Sequence, residues 1–258
     1  MFKFFHFDVE DGVGIATFDR PPVNALSREV YESLDRMIDH IEGSPDVRVL
    51  VLAASDASRA WIGGADLNEF STLTYETRVD RHAFATRVTD RFYNLSRPTI
   101  AAIRKPAVGG GVVFASFCDI RVASEDTFFS MPEVDRGLTG GAGAYLHRLN
   151  MPVGLIREII LTGRRLPSRE LETSGFLNYV LPDQEVMPKA MELARMIAAK
   201  SLPVVEAIKS SANLMDMAGW QEGRKVASDH SARLTGSADY REGISAFFDG
   251  RKPSYTDR

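Results

Sequence analysis

Two glycine-rich turns contain the residues best placed to do chemistry. One is Gly63-Gly64-Ala65-Asp66-Leu67, which follows the apolar run 47–53. The other is Gly109-Gly110-Gly111, which follows Thr99-Ile100-Ala101-Ala102-Ile103 and opens into an apolar, small-residue segment ending at Cys118-Asp119. Each reads as strand, tight turn, helix. Glycine lacks a Cβ, so such a turn can take positive φ and admit another backbone or a ligand at close range. A helix start leaves N–H groups without partners, aimed outward with partial positive charge behind them. That makes a binding point for an anionic or polarised oxygen. Two such turns can offer two N–H groups to one oxygen, which is what an enolate-like thioester oxygen needs.

A third candidate is Glu133, in Met131-Pro132-Glu133-Val134-Asp135-Arg136-Gly137-Leu138, just before Gly140-Gly141-Ala142-Gly143. A carboxylate in an apolar setting has a raised pKa and can shuttle a proton near neutral pH. Locally, Glu133 could equally cap the chain or pair with Arg136. Asp66 and Asp119 read as capping or ion-pairing residues. His6, His40, His82, His147 and His230 are scattered without metal-ligand spacing, so no metal is expected. The glycines do not fit a dinucleotide fingerprint, and there is no Walker lysine and no serine elbow.

These residues need a scaffold, and the chain is long enough to supply one. Its 258 residues are 44% hydrophobic and 26% charged, with a formal net charge of −4. That describes a globular α/β chain with a substantial core. The mild negative charge and the absence of a basic block argue against nucleic acid as a partner. The 75–95 segment has Arg78, Arg81, Arg87 and Arg91, but Glu76, Asp80 and Asp90 are interspersed, so it reads as a solvated mixed-charge face. No apolar stretch is long enough to span a membrane. The one cysteine, Cys118, lies in an apolar run and reads as a packing residue in a reducing, cytoplasmic setting.

The order of elements follows from periodicity. Alternating residues 5–10 and 13–19 flank Asp11-Gly12, a hairpin signal. Ser27 is placed to cap a helix over 28–41, whose apolar residues keep helical spacing. Strands are expected at 47–53, 99–103, 118–123 and 127–130, with helices at 75–95 and from Gly110. Beyond residue 150 the pattern becomes helical, over 155–162, 168–175, 186–201, 203–217 and 221–234. Repeated strand, glycine turn and helix favour stacked units with mostly parallel strands. We divide the chain into a core, 1–200, and a C-terminal helical region, 201–258, whose amphipathic helices would cover a neighbouring subunit.

Taken together, the motifs resemble the enoyl-CoA hydratase/isomerase (crotonase) superfamily. The matching stretches are Arg20-Pro21-Pro22-Val23-Asn24-Ala25-Leu26, Gly63-Gly64-Ala65-Asp66-Leu67, the glycine triplet, Cys118-Asp119-Ile120, Pro132-Glu133, Leu161-Thr162-Gly163 and Glu242-Gly243-Ile244-Ser245-Ala246-Phe247. The resemblance implies a spiral of stacked ββα units with a C-terminal helical trimerisation region. It implies an acyl-CoA or enoyl-CoA substrate, no separate cofactor, and a homotrimer or dimer of trimers. By match, Ala65 and Gly110 would supply the oxyanion N–H groups, and Glu133 would be the catalytic acid. Val23, Ala25, Gly63, Asp66 and Leu67 would wrap the CoA, and Gly141 would lie near the reacting carbons.

The departures from the family pattern bear on the reaction. Hydratases of this family carry a second glutamate where this chain has Val113, and the lysine often found after the Ala-Asp stretch is Asn68. A C-terminal lysine that meets CoA phosphate aligns with Gly250, beside Arg251 and Lys252. One glutamate resembles the arrangement of double-bond isomerases and feruloyl-CoA hydratase-lyases. The resemblance implies hydration or isomerisation of an enoyl-CoA, with C–C cleavage or decarboxylation as an alternative. A non-catalytic CoA-thioester-binding or scaffold protein is the alternative of another class. The acyl group would be lined by Phe70, Phe84, Phe114, Phe117 and Phe247.

Overall fold

The structure is a computed structural model, and it describes residues 2–139 and 151–257. The expectation for Gly141 and its loop therefore lies outside the described residues. Strands β1 (Phe5–Glu10) and β2 (Val13–Phe18) form the hairpin around Asp11 and Gly12, whose φ angles are 50° and 81°. Positive φ at both residues is what a tight two-residue hairpin turn requires. After helix α1 (Arg28–Gly43), strands β3 (Val49–Ala54), β4 (Thr99–Ile103), β6 (Ile120–Ser124) and β9 (Tyr179–Leu181) extend the sheet in the order β1-β2-β3-β4-β6-β9. Only the hairpin pair is antiparallel; the other pairs are parallel.

Side chains of the parallel strands alternate between two apolar layers, as the period of two demands. Leu50, Leu52, Ala101, Ile103 and Ala123 face the larger cluster, together with α1 and with residues of α3 (Tyr75–Tyr93) and α4 (Gly110–Phe117). Val49, Val51, Ile100, Ala102 and Val122 face the other way. They pack against Val186, Ala190, Met191 and Ala194 of the helix Asp183–Ala198.

A second, smaller array gives the chain its spiral. Leu26 bridges Ala65 and Ile62 bridges Ala107, both in parallel. Then β5 (Ala107–Val108) pairs in parallel with β7 (Phe128–Ser130), which pairs with β8 (Arg165–Pro167). Each chain turn thus stacks on the one before it, and both glycine turns lie in this stack. The chain has the crotonase-like spiral expected from the sequence.

Most element positions match the sequence reading within a few residues; the capping and burial details differ. Ser27 sits at the N-terminus of α1, but its side chain makes no capping bond and its Oγ is buried without a partner among the described residues. Side-chain caps are found instead at Asp66, ahead of α2 (Leu67–Phe70), at Thr74, ahead of α3, and at Ser237, ahead of the helix Ala238–Phe248. The mixed-charge helix is not fully solvated either. Arg81 is buried, with Nε on Glu69 Oε2 at 2.5 Å and an NH2 bond to Leu26 O at 2.7 Å. Among the described residues no helix is long and apolar enough to cross a membrane.

One buried side chain joins the layers at the first turn. Asn24 accepts from Arg20 N at 2.8 Å and donates to Phe18 O, Ala60 O and Trp61 O at 3.0–3.2 Å. It also holds a φ of 53°, which asparagine tolerates better than most residues. Replacing Asn24 with Ala takes the partner from Arg20 N–H and Trp61 O, while Phe18 O keeps Ser55 N–H and Ala60 O keeps the Ser58 hydroxyl, and it puts a Cβ-only side chain at positive φ. Urea unfolding should show a loss of about 3 kcal/mol for Asn24→Ala.

Candidate functional site

The first turn is anchored before it reaches the site. Trp61 is fully buried, with its indole N–H directed to Leu52 O at 3.3 Å. Gly63 then passes so near Val23 that a Cβ would lie 2.5 Å from Val23 O. Gly64 has φ +88°, and its carbonyl accepts from Leu26 N at 2.7 Å. Ala65 follows, and Asp66 closes the turn. Asp66 Oδ1 accepts the N–H groups of Asn68 and Glu69 at 3.0 and 3.4 Å, while Oδ2 takes Arg20 at 2.6 Å. Burial alone would raise the pKa of this carboxyl, but Arg20 and the two N–H groups outweigh it, and the net shift is downward.

The second turn fits against the first. Val108 N donates to Ile62 O at 2.9 Å and Gly109 N to Ser130 O at 2.8 Å. Gly109 has φ +52°, and Gly111 lies so close to Ile62 that a Cβ would fall 2.3 Å from its carbonyl oxygen. At the contact between the turns, a Cβ on Gly64 would lie 2.9 Å from Val108 O and 3.6 Å from Gly110 N. Among the described residues, neither Ala65 N–H nor Gly110 N–H donates to a protein acceptor. Two unspent amide donors on adjoining turns are what a single developing oxyanion requires.

Glu133 completes the group. Its backbone carbonyl accepts from Arg136 N and Leu138 N at 3.0 and 2.9 Å, which fixes the loop. Its side chain is half-buried against the second turn, and a Cβ on Gly109 would lie 2.5 Å from Oε1. Oε2 is buried and makes no hydrogen bond among the described residues. Burial pushes this carboxyl up, against the weaker opposing pull of its own backbone N–H and of Arg136. Of the two local readings, capping finds no support, since Glu133 makes no side-chain cap bond.

A cleft of about 90 Å³ gathers these groups. Gly63, Gly64, Ala65, Leu67, Val108, Gly109 and Glu133 line it, with Pro132, Arg136 and Leu138 on the acid's side. Gly110 lies against Gly64 and the Leu26 side chain. Val23 backs Gly63, and Ala25 O holds Arg20 NH1 at 2.9 Å. Asp66 is not part of the lining, because its carboxylate is committed to the cap and to Arg20. Two wider grooves, of about 600 and 490 Å³, run along the C-terminal helices and contain neither turn nor Glu133. None of the phenylalanines expected around an acyl group lines this cleft, although Phe114 and Phe117 meet edge to face and Phe84 packs against the same core. Phe114 and Phe117 are core residues, and Phe247 is 79% exposed.

Among the described residues no trio of His, Cys, Asp or Glu could hold a metal. Cys118 is buried and its thiol is pushed up to about 12, which suits packing and not nucleophilic chemistry. Asp66 caps and pairs as its residue type suggested, but sequence reasoning did not find its partner, Arg20. The two lie 46 residues apart, and no local pattern joins them.

Comparisons with known proteins bear on this geometry. The family model described as Enoyl-CoA hydratase/isomerase matches residues 8–258. A protein named probable enoyl-CoA hydratase echA8, from Mycobacterium tuberculosis, is 31% identical over 253 residues, 95% of each chain. The mitochondrial enoyl-CoA hydratase of Pongo abelii is 30% identical and covers 95% of this chain and 84% of its own length. The crystal structure of an enoyl-CoA hydratase from Bacillus anthracis superposes with a TM-score of 0.92 at 27% identity, over 99% of this chain and all of that one.

Glu133 also makes a prediction about stability. An acid whose pKa rises on folding binds its proton more tightly in the folded state. The folded state is then penalised as pH rises through the raised value, and not below the ordinary value of 4.5. Glu133→Gln should therefore melt above the wild type at pH 8. The difference should close as pH falls towards 4, as read by calorimetry across that range.

Proposed function

The chain belongs to the enoyl-CoA hydratase/isomerase family, and on that premise we propose that it moves a proton on an enoyl-CoA, with Glu133 as its only acid-base group. The thioester oxygen sits between Ala65 N–H and Gly110 N–H. The Glu133 carboxylate takes a proton from the carbon next to the thioester. The electron pair of that C–H bond passes into the carbonyl, giving an enolate whose oxygen the two amides hold. In a 3-enoyl thioester the same carboxyl then returns the proton to the fourth carbon, the far end of the original double bond, as the enolate collapses to the conjugated 2-enoyl thioester, so the net change is isomerisation. Hydration through the same group is the neighbouring outcome, with the carboxylate activating water for addition. C–C cleavage would use the same enolate.

The observation that carries this reading is the buried, partnerless Oε2 of Glu133 beside two turns whose N–H groups are unspent. Proton transfer between carbons needs one carboxyl that can both take and give. Helix Gly110–Phe117 contributes no second acid, since Val113 occupies the position in question. The CoA enters as part of the substrate, and no further cofactor is invoked. We also propose self-association as a trimer or dimer of trimers through the C-terminal helices. Ile208, Met217, Trp220, Phe247 and Phe248 are all exposed there. The lone buried thiol suits a cytoplasmic setting.

Glu133→Gln should lower kcat by about two to four orders of magnitude and leave the Kd for the CoA thioester within about threefold. Turnover at wild-type rate in this variant sinks the assignment. In the wild type, kcat/KM for isomerisation should rise with pH until Glu133 is ionised, with the inflection above the usual carboxylate range. Gly109→Ala tests the geometry by another route. The new methyl would displace Oε1, so kcat should fall about a hundredfold, with a backbone cost of about 1–3 kcal/mol.

A further inference from the structure

The cleft contains one charged group that this chemistry leaves unused. Arg136 lines it beside Glu133, in the single helical turn Val134–Arg136. One guanidinium nitrogen donates to Pro132 O at 2.8 Å. Among the described residues no carboxylate pairs with this guanidinium, although two acids lie within three positions of it. Among the described residues Glu133 Oε2 has no hydrogen-bond partner, and Asp135 lies against Gly163, where a Cβ would fall 2.9 Å from Oδ2. Neighbouring arginines are matched: Arg20 with Asp66, Arg81 with Glu69, and Arg164 with Glu158 and Glu170.

The remaining lining is backbone and apolar side chain, including Leu67, Val108, Pro132 and Leu138. Arg136 itself is exposed where it borders this lining, and a guanidinium with uncommitted donors there suits a planar carboxylate, which it grips through two parallel N–H···O bonds. A plain alkyl chain would leave that donor set unanswered. An acyl carboxylate brought here without a cation would also be repelled by ionised Glu133, so a positive group beside the acid removes that obstacle.

Resting on the enolate reading of the cleft, we propose that Arg136 is a specificity-determining residue that selects CoA thioesters whose acyl chain carries a carboxylate of its own. The thioester oxygen stays on the glycine turns, and the distal carboxylate meets the guanidinium across the reacting carbons. No bond to Arg136 is made or broken; its effect is on binding of the acyl group.

The test compares two five-carbon thioesters, trans-2-pentenoyl-CoA and its carboxylated counterpart glutaconyl-CoA. Binding is measured calorimetrically on the Glu133→Gln protein, in which turnover does not interfere. Glutaconyl-CoA should bind at least about tenfold tighter. Adding Arg136→Leu should abolish the preference, and Arg136→Lys should restore part of it, each variant being checked for an unchanged far-UV spectrum. Equal affinity for the two thioesters in Glu133→Gln overturns the proposal. So does an equal loss on both thioesters in Arg136→Leu. An equal loss extending to free CoA assigns the guanidinium to the CoA phosphates instead, which also overturns it. Turnover in the wild type is read separately: if neither thioester reacts, the enolate reading fails, while the binding preference still decides Arg136.

Discussion

At Gly64 the chain passes so near the second turn that a Cβ would lie 2.9 Å from Val108 O, inside any contact that real Cβ atoms make. Three further approaches repeat this constraint: Gly63 on Val23, Gly111 on Ile62, and Gly109 on Glu133. Each puts backbone where a side chain would otherwise keep it away. The stacked spiral makes this possible, because single parallel bridges, Leu26 to Ala65 and Ile62 to Ala107, carry one turn onto the next. A bridge of this kind fixes spacing to within a hydrogen bond's tolerance. The turns that hold the two unspent amides therefore adjoin because of backbone registry, and the side chains around them preserve that registry. Asn24 is the clearest case, since its four bonds join the end of β2, the turn after it and the approach to Gly63.

Two carboxylates near these turns move in opposite directions for physical reasons that can be separated. Asp66 and Glu133 are both pushed up by burial. Asp66 is given two N–H donors and Arg20, and these more than offset the desolvation. Glu133 is given only its own N–H and a weaker pull from Arg136, so burial prevails. A carboxylate already saturated with donors has little to offer a reacting carbon. One with a buried, unbonded oxygen can accept a proton from it. The donors around each acid thus separate a carboxylate tied into the turn, Asp66, from one that keeps a buried oxygen unbonded among the described residues, Glu133, as the proton transfer proposed for it needs.

That distinction also marks what was legible in the sequence. The glycine turns, the hairpin at Asp11-Gly12 and the helices from Val153 to Leu234 follow from local rules, and they stand within a few residues of expectation, whereas the helix Ala238–Phe248 was not anticipated. Glu133 was legible as a candidate because its neighbours are apolar and glycine-rich. Its burial was not, since the residue that encloses it, Gly109, lies 24 positions earlier. Arg81 misled for a related reason. Helical spacing alone put it among solvated charges, yet the carbonyl of Leu26 and the carboxylate of Glu69 draw it into the interior. Ser27 shows the reverse error, where a favourable residue type at a helix start made no cap because its hydroxyl is buried facing no donor. Long-range partners decide such cases, and no local window contains them.

The attachment of the C-terminal helices differs in kind from the rest of the core. Helix Asp183–Ala198 packs on the sheet through Val186, Ala190, Met191 and Ala194. The next helix, Leu202–Ala218, is held largely by polar side chains. Lys209 reaches Asp119 and Arg97 O, Glu206 pairs with Arg97, and Asn213 donates to Tyr93 O. Polar anchors fix direction but bury little apolar surface, so Ile208, Met217, Trp220, Phe247 and Phe248 stay exposed. Directional anchoring that leaves apolar side chains exposed suits the self-association proposed above. The cleft beside Glu133 is lined by the stacked turns and the segment around Glu133, with no residue of the C-terminal helices.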